Sequence, residues 1–165
     1  MPPVIRSASH EDLPAIVEIY NESGVATTAS YDIEPVTLEE RAAWFERLRN
    51  QGHPVLVLEE NGRVVGFASY GPFRDKAAYL HTVEHSVYVA EGSRSNGVGR
   101  MLLCALLDHA RGRGVHVMLG VLDADNMASR AFHKSLGFVE SAVLSEVGRK
   151  FGCWLDVVFV TRRFD

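Results

Sequence analysis

The chain has 165 residues, 47% of them hydrophobic and 23% charged, with a formal net charge of -4. That length fits a single domain spanning 1–165, whose core needs neither disulfides nor a structural metal. The acidic balance excludes general nucleic-acid binding, and no apolar run approaches the roughly 20 residues of a membrane span, so the expected partners are small molecules.

Met1-Pro2-Pro3 leads into an apolar strand pattern with no charged-then-apolar leader, which predicts a cytoplasmic protein. Cys104 and Cys153 lack the CxxC spacing and His neighbours of a zinc site. No metal site is therefore expected, and both read as buried reduced thiols.

Val4-Ile5-Arg6 predicts a short strand. Ser9 then caps a helix whose apolar face is Leu13, Ile16, Val17 and Tyr20, with Asn21-Glu22-Ser23-Gly24 as its stop. Val25 to Pro35 is polar and irregular, so Thr27, Thr28 and Ser30 either line a pocket or sit in a surface loop. Thr37-Leu38-Glu39-Glu40 has capping-box spacing ahead of a second helix with Leu38, Ala42, Phe45 and Leu48 as its buried stripe. Pro54–Glu59 and Arg63–Tyr70 read as strands joined by Asn61-Gly62, a favoured two-residue hairpin turn.

After a loop over Gly71–Lys76, Tyr79 to Val89 reads as a long strand. It places Leu80, Thr82, Glu84, Ser86 and Tyr88 on one face and His81, Val83, His85, Val87 and Val89 on the other. It runs into Arg94-Ser95-Asn96-Gly97-Val98-Gly99-Arg100, a glycine-rich turn opening a helix with Leu102, Leu103, Leu106 and Leu107. Uncovered amides at a helix start attract anions, so this turn is a candidate phosphate site. A buried strand over Val115–Leu122 follows. Asp125 or Asn126 then caps another helix, which Gly137 can end in the left-handed conformation, and Phe138–Val147 and Trp154–Phe164 form a closing pair of strands. The order predicts an α/β or α+β sheet domain with helices on its faces.

The stretch Arg94-Ser95-Asn96-Gly97-Val98-Gly99 resembles the R/Q-x-x-G-x-G/A pyrophosphate motif of the GCN5-related N-acetyltransferases (GNAT). A second stretch, Asn126 to Phe138, resembles their N-x-x-A/S-x-x-x-Y/H-x-x-x-G-F element. A narrower likeness, through Thr82-Val83-Glu84-His85-Ser86-Val87-Tyr88-Val89 and Lys150 to Val157, is to the phosphinothricin and methionine-sulfone acetyltransferases. The resemblance implies the GNAT fold, with a central mixed, mostly antiparallel sheet of about seven strands and helices on both faces. It implies acetyl-CoA as donor, direct attack by the α-amine of a small amino-acid-like acceptor, and a homodimer. It also implies that the strand ending at Val89 separates from its neighbour, so that the pantetheine arm pairs with the freed backbone.

By the same resemblance, Val87, Tyr88, Val89, Arg94, Ser95, Asn96, Gly97, Val98, Gly99, Arg100, Asn126 and Ser135 bind the cofactor. Asn126 is equally readable as a plain helix cap. Attack needs a neutral amine, so a carboxylate must accept a proton, and Glu84 is the first choice. Its plainer reading is a charge paired on a solvated strand. His133 stands where many relatives carry a tyrosine near the cofactor sulfur; it either donates or relays a proton, or only fills space. His81 and His85 read as structural.

Negative charge developing on the carbonyl oxygen calls for fixed backbone donors, which the strand end at Val87–Val89 can supply. Phe73, Arg74, Thr82, Val83, Glu84 and Lys150 are the acceptor-site candidates, with Arg74 and Lys150 as cations for a carboxylate. The alternatives are acetylation of a peptide or protein N-terminus and a non-catalytic acyl-CoA-binding module.

Overall fold

The computed structural model describes residues 1–165. Its strands are β1 (Val4–Ser7), β2 (Val55–Glu60), β3 (Arg63–Pro72), β4 (Thr82–Val89), β5 (Val117–Asp123), β6 (Val139–Lys150) and β7 (Cys153–Arg163). Its helices are α1 (Leu13–Tyr20), α2 (Leu38–Asn50), α3 (Val98–Gly112) and α4 (Met127–Ser135). The strands form one sheet in the order β1-β2-β3-β4-β5-β7-β6. Every neighbouring pair is antiparallel except β4 and β5, which run parallel.

The strand alternation expected for β4 sorts the core into two layers. Val83, Val87 and Val89 face the cluster built on Leu102, Leu103 and Leu106 of α3. Tyr88 faces the opposite cluster, built on α1 and α2, where its ring stacks on Phe67 and meets Tyr20 edge-on. Leu102, Leu103 and Leu106 are fully buried. At about 1.5–3 kcal/mol for each large apolar side chain, they hold the start of α3 rigidly against the sheet. On the other side, Asp12 lies just before α1, where it accepts from the Ser9 amide at 2.8 Å and from both terminal nitrogens of Arg6 at 2.8 and 2.9 Å.

Four local expectations change. The stop at Asn21–Gly24 is instead a wide π-type turn over Asn21–Val25 that continues α1. Tertiary bonds keep it wound: the Asn21 amide group bonds both the N–H and the carbonyl of Val36, and Ser23 Oγ donates to Val89 O at 2.9 Å. The long strand begins at Thr82 rather than Tyr79, because Ala77–Tyr79 closes into a single 3-10 turn and Leu80 is left exposed. Leu38 is exposed at the first position of α2, outside the buried stripe of Phe45 and Leu48. Both cysteines are exposed rather than buried. Cys104 lies off the Leu103–Leu106–Leu107 stripe of α3, and Cys153 follows the hairpin tip between β6 and β7.

Candidate active site

The parallel pairing of β4 with β5 stops early. Thr82, Val83 and Glu84 pair with Val117, Met118 and Leu119, and beyond them the two strands diverge. β4 stays bonded to β3 as far as Val89, and β5 stays bonded to β7 as far as Asp123. The facing edges of His85–Val89 and Gly120–Asp123 therefore have no ladder partner across the gap. A cavity of about 610 Å³ opens there, lined by these strand ends, the Ser93–Arg100 turn, α4 and the loop at Thr27–Ala29. Unpaired backbone N–H and C=O groups at the edge of such a cleft seek hydrogen bonds with whatever enters it.

One wall is the start of α3. Gly97 precedes the helix in the left-handed region (φ 77°), and no side chain caps the first turn. Ser95 is also left-handed (φ 69°). These two reversals turn the first amides of α3 toward open space, since a side chain at Gly97 would meet nothing within 4 Å. Uncapped amides, the positive end of the helix and the Arg94 and Arg100 side chains together make an anion site. A ligand that carries phosphates at one end and amides along its length fits this wall and cleft.

Of the predicted cofactor residues, Val87, Tyr88, Val89, Arg94, Ser95, Gly97, Val98, Gly99, Arg100 and Asn126 line the cavity. Asn96 and Ser135 do not. Ser135 Oγ donates to Phe132 O at 2.7 Å and accepts from Arg100 at 3.2 Å, so its contact with the cleft is through Arg100. Asn126 does cap α4, accepting from the Ser129 amide at 3.0 Å, and it lines the cavity as well. Thr27 and Thr28 prove to be lining residues, whereas Ser30 is buried against the Tyr20 hydroxyl. Asp123 and Ser129 line the cavity without having been singled out. Only the strand split, which is not a local sequence property, brings them there.

Glu84 does not open into this cavity. It points through the opposite face of β4 into a second hollow of about 350 Å³, shared with Trp44, Arg47, Gln51, Asp75 and Ser86. Ser86 lines both spaces, so the two meet at that residue. Glu84 is exposed to this hollow; partial desolvation by the hollow's walls raises the proton affinity of its carboxyl, and the charge of Arg74 partly offsets this. A carboxylate with a raised proton affinity beside a cleft is poised to exchange protons. Arg74 is exposed and packs over the ring of Phe73, its guanidinium carbon 5.2 Å from the centroid.

Two acceptor-site expectations meet different surroundings. Val83 is 2% exposed and packs in the core toward α3, because alternation sends it to the face opposite Glu84. Lys150 is 4% exposed, and its ammonium donates to the Thr27 and Ser30 carbonyls at 2.6 Å each, pinning the loop beside the main cavity. Thr82 is half-buried at the start of β4. His133 is 4% exposed and lines the main cavity, with its Nε2 2.9 Å from His85 Nε2. His81 is exposed.

Comparison with known proteins agrees with this geometry. Residues 13–138 match the family described as "Acetyltransferase (GNAT) family". The chain is 47% identical over 161 residues to the L-amino acid N-acyltransferase MnaT of Escherichia coli (strain K12), covering 98% of this chain and 94% of that protein. It is 44% identical over 162 residues to the L-methionine sulfoximine/L-methionine sulfone acetyltransferase of Pseudomonas aeruginosa, with the same coverage of 98% and 94%. Among solved structures, yncA from Salmonella typhimurium with its cofactor acetyl-CoA superposes with a TM-score of 0.97 at 44% identity, covering 100% of this chain and 95% of that one.

Proposed function

We propose that this chain, which belongs to the acetyltransferase (GNAT) family, acetylates the α-amine of a small amino acid of the methionine sulfoximine, methionine sulfone or phosphinothricin type. It is an acetyl-CoA-dependent N-acetyltransferase. The acceptor class is supported by the 47% and 44% identity to relatives named for L-amino acids and for methionine sulfoximine and sulfone; the meeting of the two hollows at Ser86, with the split-strand cleft on one side and Glu84 on the other, gives such an acceptor a place beside the donor.

Acetyl-CoA supplies an activated acetyl thioester. The chain supplies position and proton handling. The amides opening α3, with Arg94 and Arg100, hold the phosphates, and the freed edges of β4 and β5 hold the amide-bearing arm. Glu84 takes a proton from the incoming ammonium, directly or through water, because an ammonium has no lone pair with which to attack. Arg74 faces the carboxylate of the acceptor, and the backbone N–H groups at Val87–Val89 stabilise the charge that develops on the carbonyl oxygen. Lys150 acts indirectly, by fixing the Thr27–Ser30 loop that borders the main cavity.

The reading includes one domain over 1–165, a cytoplasmic setting and a homodimer. Support for the dimer is the far edge of the sheet: Val139, Val143 and Val147 on β6, with Phe151 and Trp154, are each more than half exposed. A second copy covering this edge accounts for such a row of apolar side chains. Acceptor-dependent release of free thiol from acetyl-CoA, across amino acids, sulfone and sulfoximine analogues and short peptides, tests the function. Sedimentation tests the dimer.

A further inference from the structure

His85 and His133 are 48 residues apart in the chain and meet at the apex of the split. His85 is the first residue of β4 beyond the last pair with β5. The sheet is built to admit its ring: a side chain on Gly120 of β5 would come within 2.6 Å of His85 Cε1. Phe138 and Phe132 pack around the pair, with ring centroids 5.3 Å from His85 and 5.2 Å from His133 respectively. The two imidazoles are 6% and 4% exposed, yet both line the main cavity.

The hydrogen bonds of these rings fix where their protons lie. His85 Nδ1 is 3.1 Å from Leu119 O, and His133 Nδ1 is 2.8 Å from Ser129 O. A carbonyl oxygen only accepts, so each Nδ1 must carry a hydrogen and donate. If both rings were neutral, both Nε2 atoms would then be bare, and two lone pairs would face each other across 2.9 Å. Moving a hydrogen from Nδ1 to Nε2 on one ring relieves that clash only by setting a bare Nδ1 against a carbonyl. Ser129 Oγ, 3.4 Å from His133 Nδ1, is too distant to compensate. One extra proton between the two Nε2 atoms satisfies all three contacts.

We propose that His85 and His133 hold a single proton between their facing Nε2 atoms, and that this pair supplies the proton needed by the departing thiol. The role rests on the acetyltransfer reading above; the shared proton itself rests on the hydrogen bonds. His133 is the donor, and His85 is a positioning residue that acts through it. When amine attack breaks the carbon–sulfur bond, the electron pair stays on sulfur and the shared proton passes to it, leaving two neutral rings. Of the two protons the ammonium loses, Glu84 passes one to solvent and the other restores the pair, so the cycle closes.

The charged groups on the surrounding elements are Glu84 on the other face of β4, Asp123 at the cavity end of β5, Arg130 and Lys134 on α4, Arg100 on α3 and Arg162 on β7. None hydrogen-bonds to either ring. Burial lowers the proton affinity of each ring, and for His85 so does His133; this opposes the first shared proton as well as a second, so the pair holds one only because the two carbonyl contacts and the facing Nε2 atoms leave no satisfied neutral arrangement.

The test uses isotope-labelled histidine in the full chain without ligand. At neutral pH both Nδ1 atoms should be protonated, and both Nε2 resonances should lie between the protonated and bare positions, with one strongly downfield proton between them. One ring protonated only at Nδ1 and the other only at Nε2, both uncharged, overturns the shared proton. For the role, His85→Leu should move the basic limb of the kcat/KM profile to lower pH by about one unit, a tenfold change in proton affinity, with acetyl-CoA affinity retained. A shared proton seen by resonance together with an unmoved basic limb overturns the catalytic role alone. If His85→Leu does not fold, Gly120→Ala, which presses on the His85 ring, gives the same reading. Failure of thiol release in the unaltered protein instead contradicts the function and leaves the resonance result standing.

Discussion

Glu84 and His85 are neighbours in sequence, but they face opposite sides of the sheet: Glu84 opens into the hollow beneath α2, and His85 enters the split between β4 and β5. Strand alternation alone produces this. It places the proposed base, Glu84, on one side of β4 and the proposed proton-holding pair on the other, with Ser86 lining both hollows.

Glu84→Gln removes the base without changing size. Turnover should fall by about a hundred- to ten-thousand-fold, the usual range for a general base, while acetyl-CoA binding by calorimetry stays nearly unchanged. As the proposed base, Glu84 must act as the carboxylate. Its raised proton affinity therefore puts the acid limb of the rate profile above the ordinary carboxylate range, with activity lost as pH falls through it. The variant should lack that limb. A collapse of cofactor affinity would make Glu84 structural.

Arg74→Gln should raise KM for acceptors that carry a carboxylate and leave KM for simple amines unchanged. It should also move the acid limb upward in pH, because the charge of Arg74 opposes the effect of desolvation on Glu84. Equal changes for both acceptor classes would remove Arg74 from the acceptor site.

Gly97→Val should weaken acetyl-CoA binding at least tenfold with little loss of thermal stability beyond about 1–2 kcal/mol, the cost of holding an L-residue in the left-handed region. The free space around Gly97 means that nothing in the protein opposes the side chain; only an approaching phosphate does. Unchanged affinity would count against the anion site.

Arg6 and Asp12 predict acid sensitivity of the fold. The Arg6 hydrogen bonds hold the Asp12 carboxyl below its ordinary range despite burial. A depressed folded value means that the stabilisation is complete above the unfolded value, near pH 4, and is lost as pH falls through the lower folded one. Asp12→Asn should cost about 1–3 kcal/mol at neutral pH and make the melting temperature less sensitive to acid. An unaltered acid profile would assign that sensitivity to other groups.

Local features were legible in the sequence. The Thr37 capping box, the Asn61-Gly62 hairpin, the alternation of β4 from Thr82 onward, the Leu102–Leu107 stripe and the opening of α3 at the glycine turn each depend on a few adjacent residues, and each forms in the structure. The exposure of Cys153 was hidden because it depends on where the hairpin of β6 and β7 closes, with β6 as the outer strand of the sheet. Lys150 carried no mark of its two carbonyl partners, which come from a loop more than a hundred residues earlier. The width of the split, the two hollows meeting at Ser86 and the contact of His85 with His133 arise only when β5 is placed beside β4. Periodicity has no access to that pairing. Resemblance anticipated the split; it did not anticipate the second imidazole beneath it.

On the proposed reading, this cleft delivers an acetyl group to a free amino acid prepared by Glu84. The most direct measurement is mass-spectrometric detection of the N-acetyl product after incubation with acetyl-CoA and L-methionine sulfone, for the unaltered chain and for Glu84→Gln in parallel. The expected product is acetylated on the α-amine, formed with equal release of thiol and nearly abolished in the variant. Absence of acetylated amino acid with the unaltered chain, across methionine sulfone, methionine sulfoximine and phosphinothricin, would contradict it.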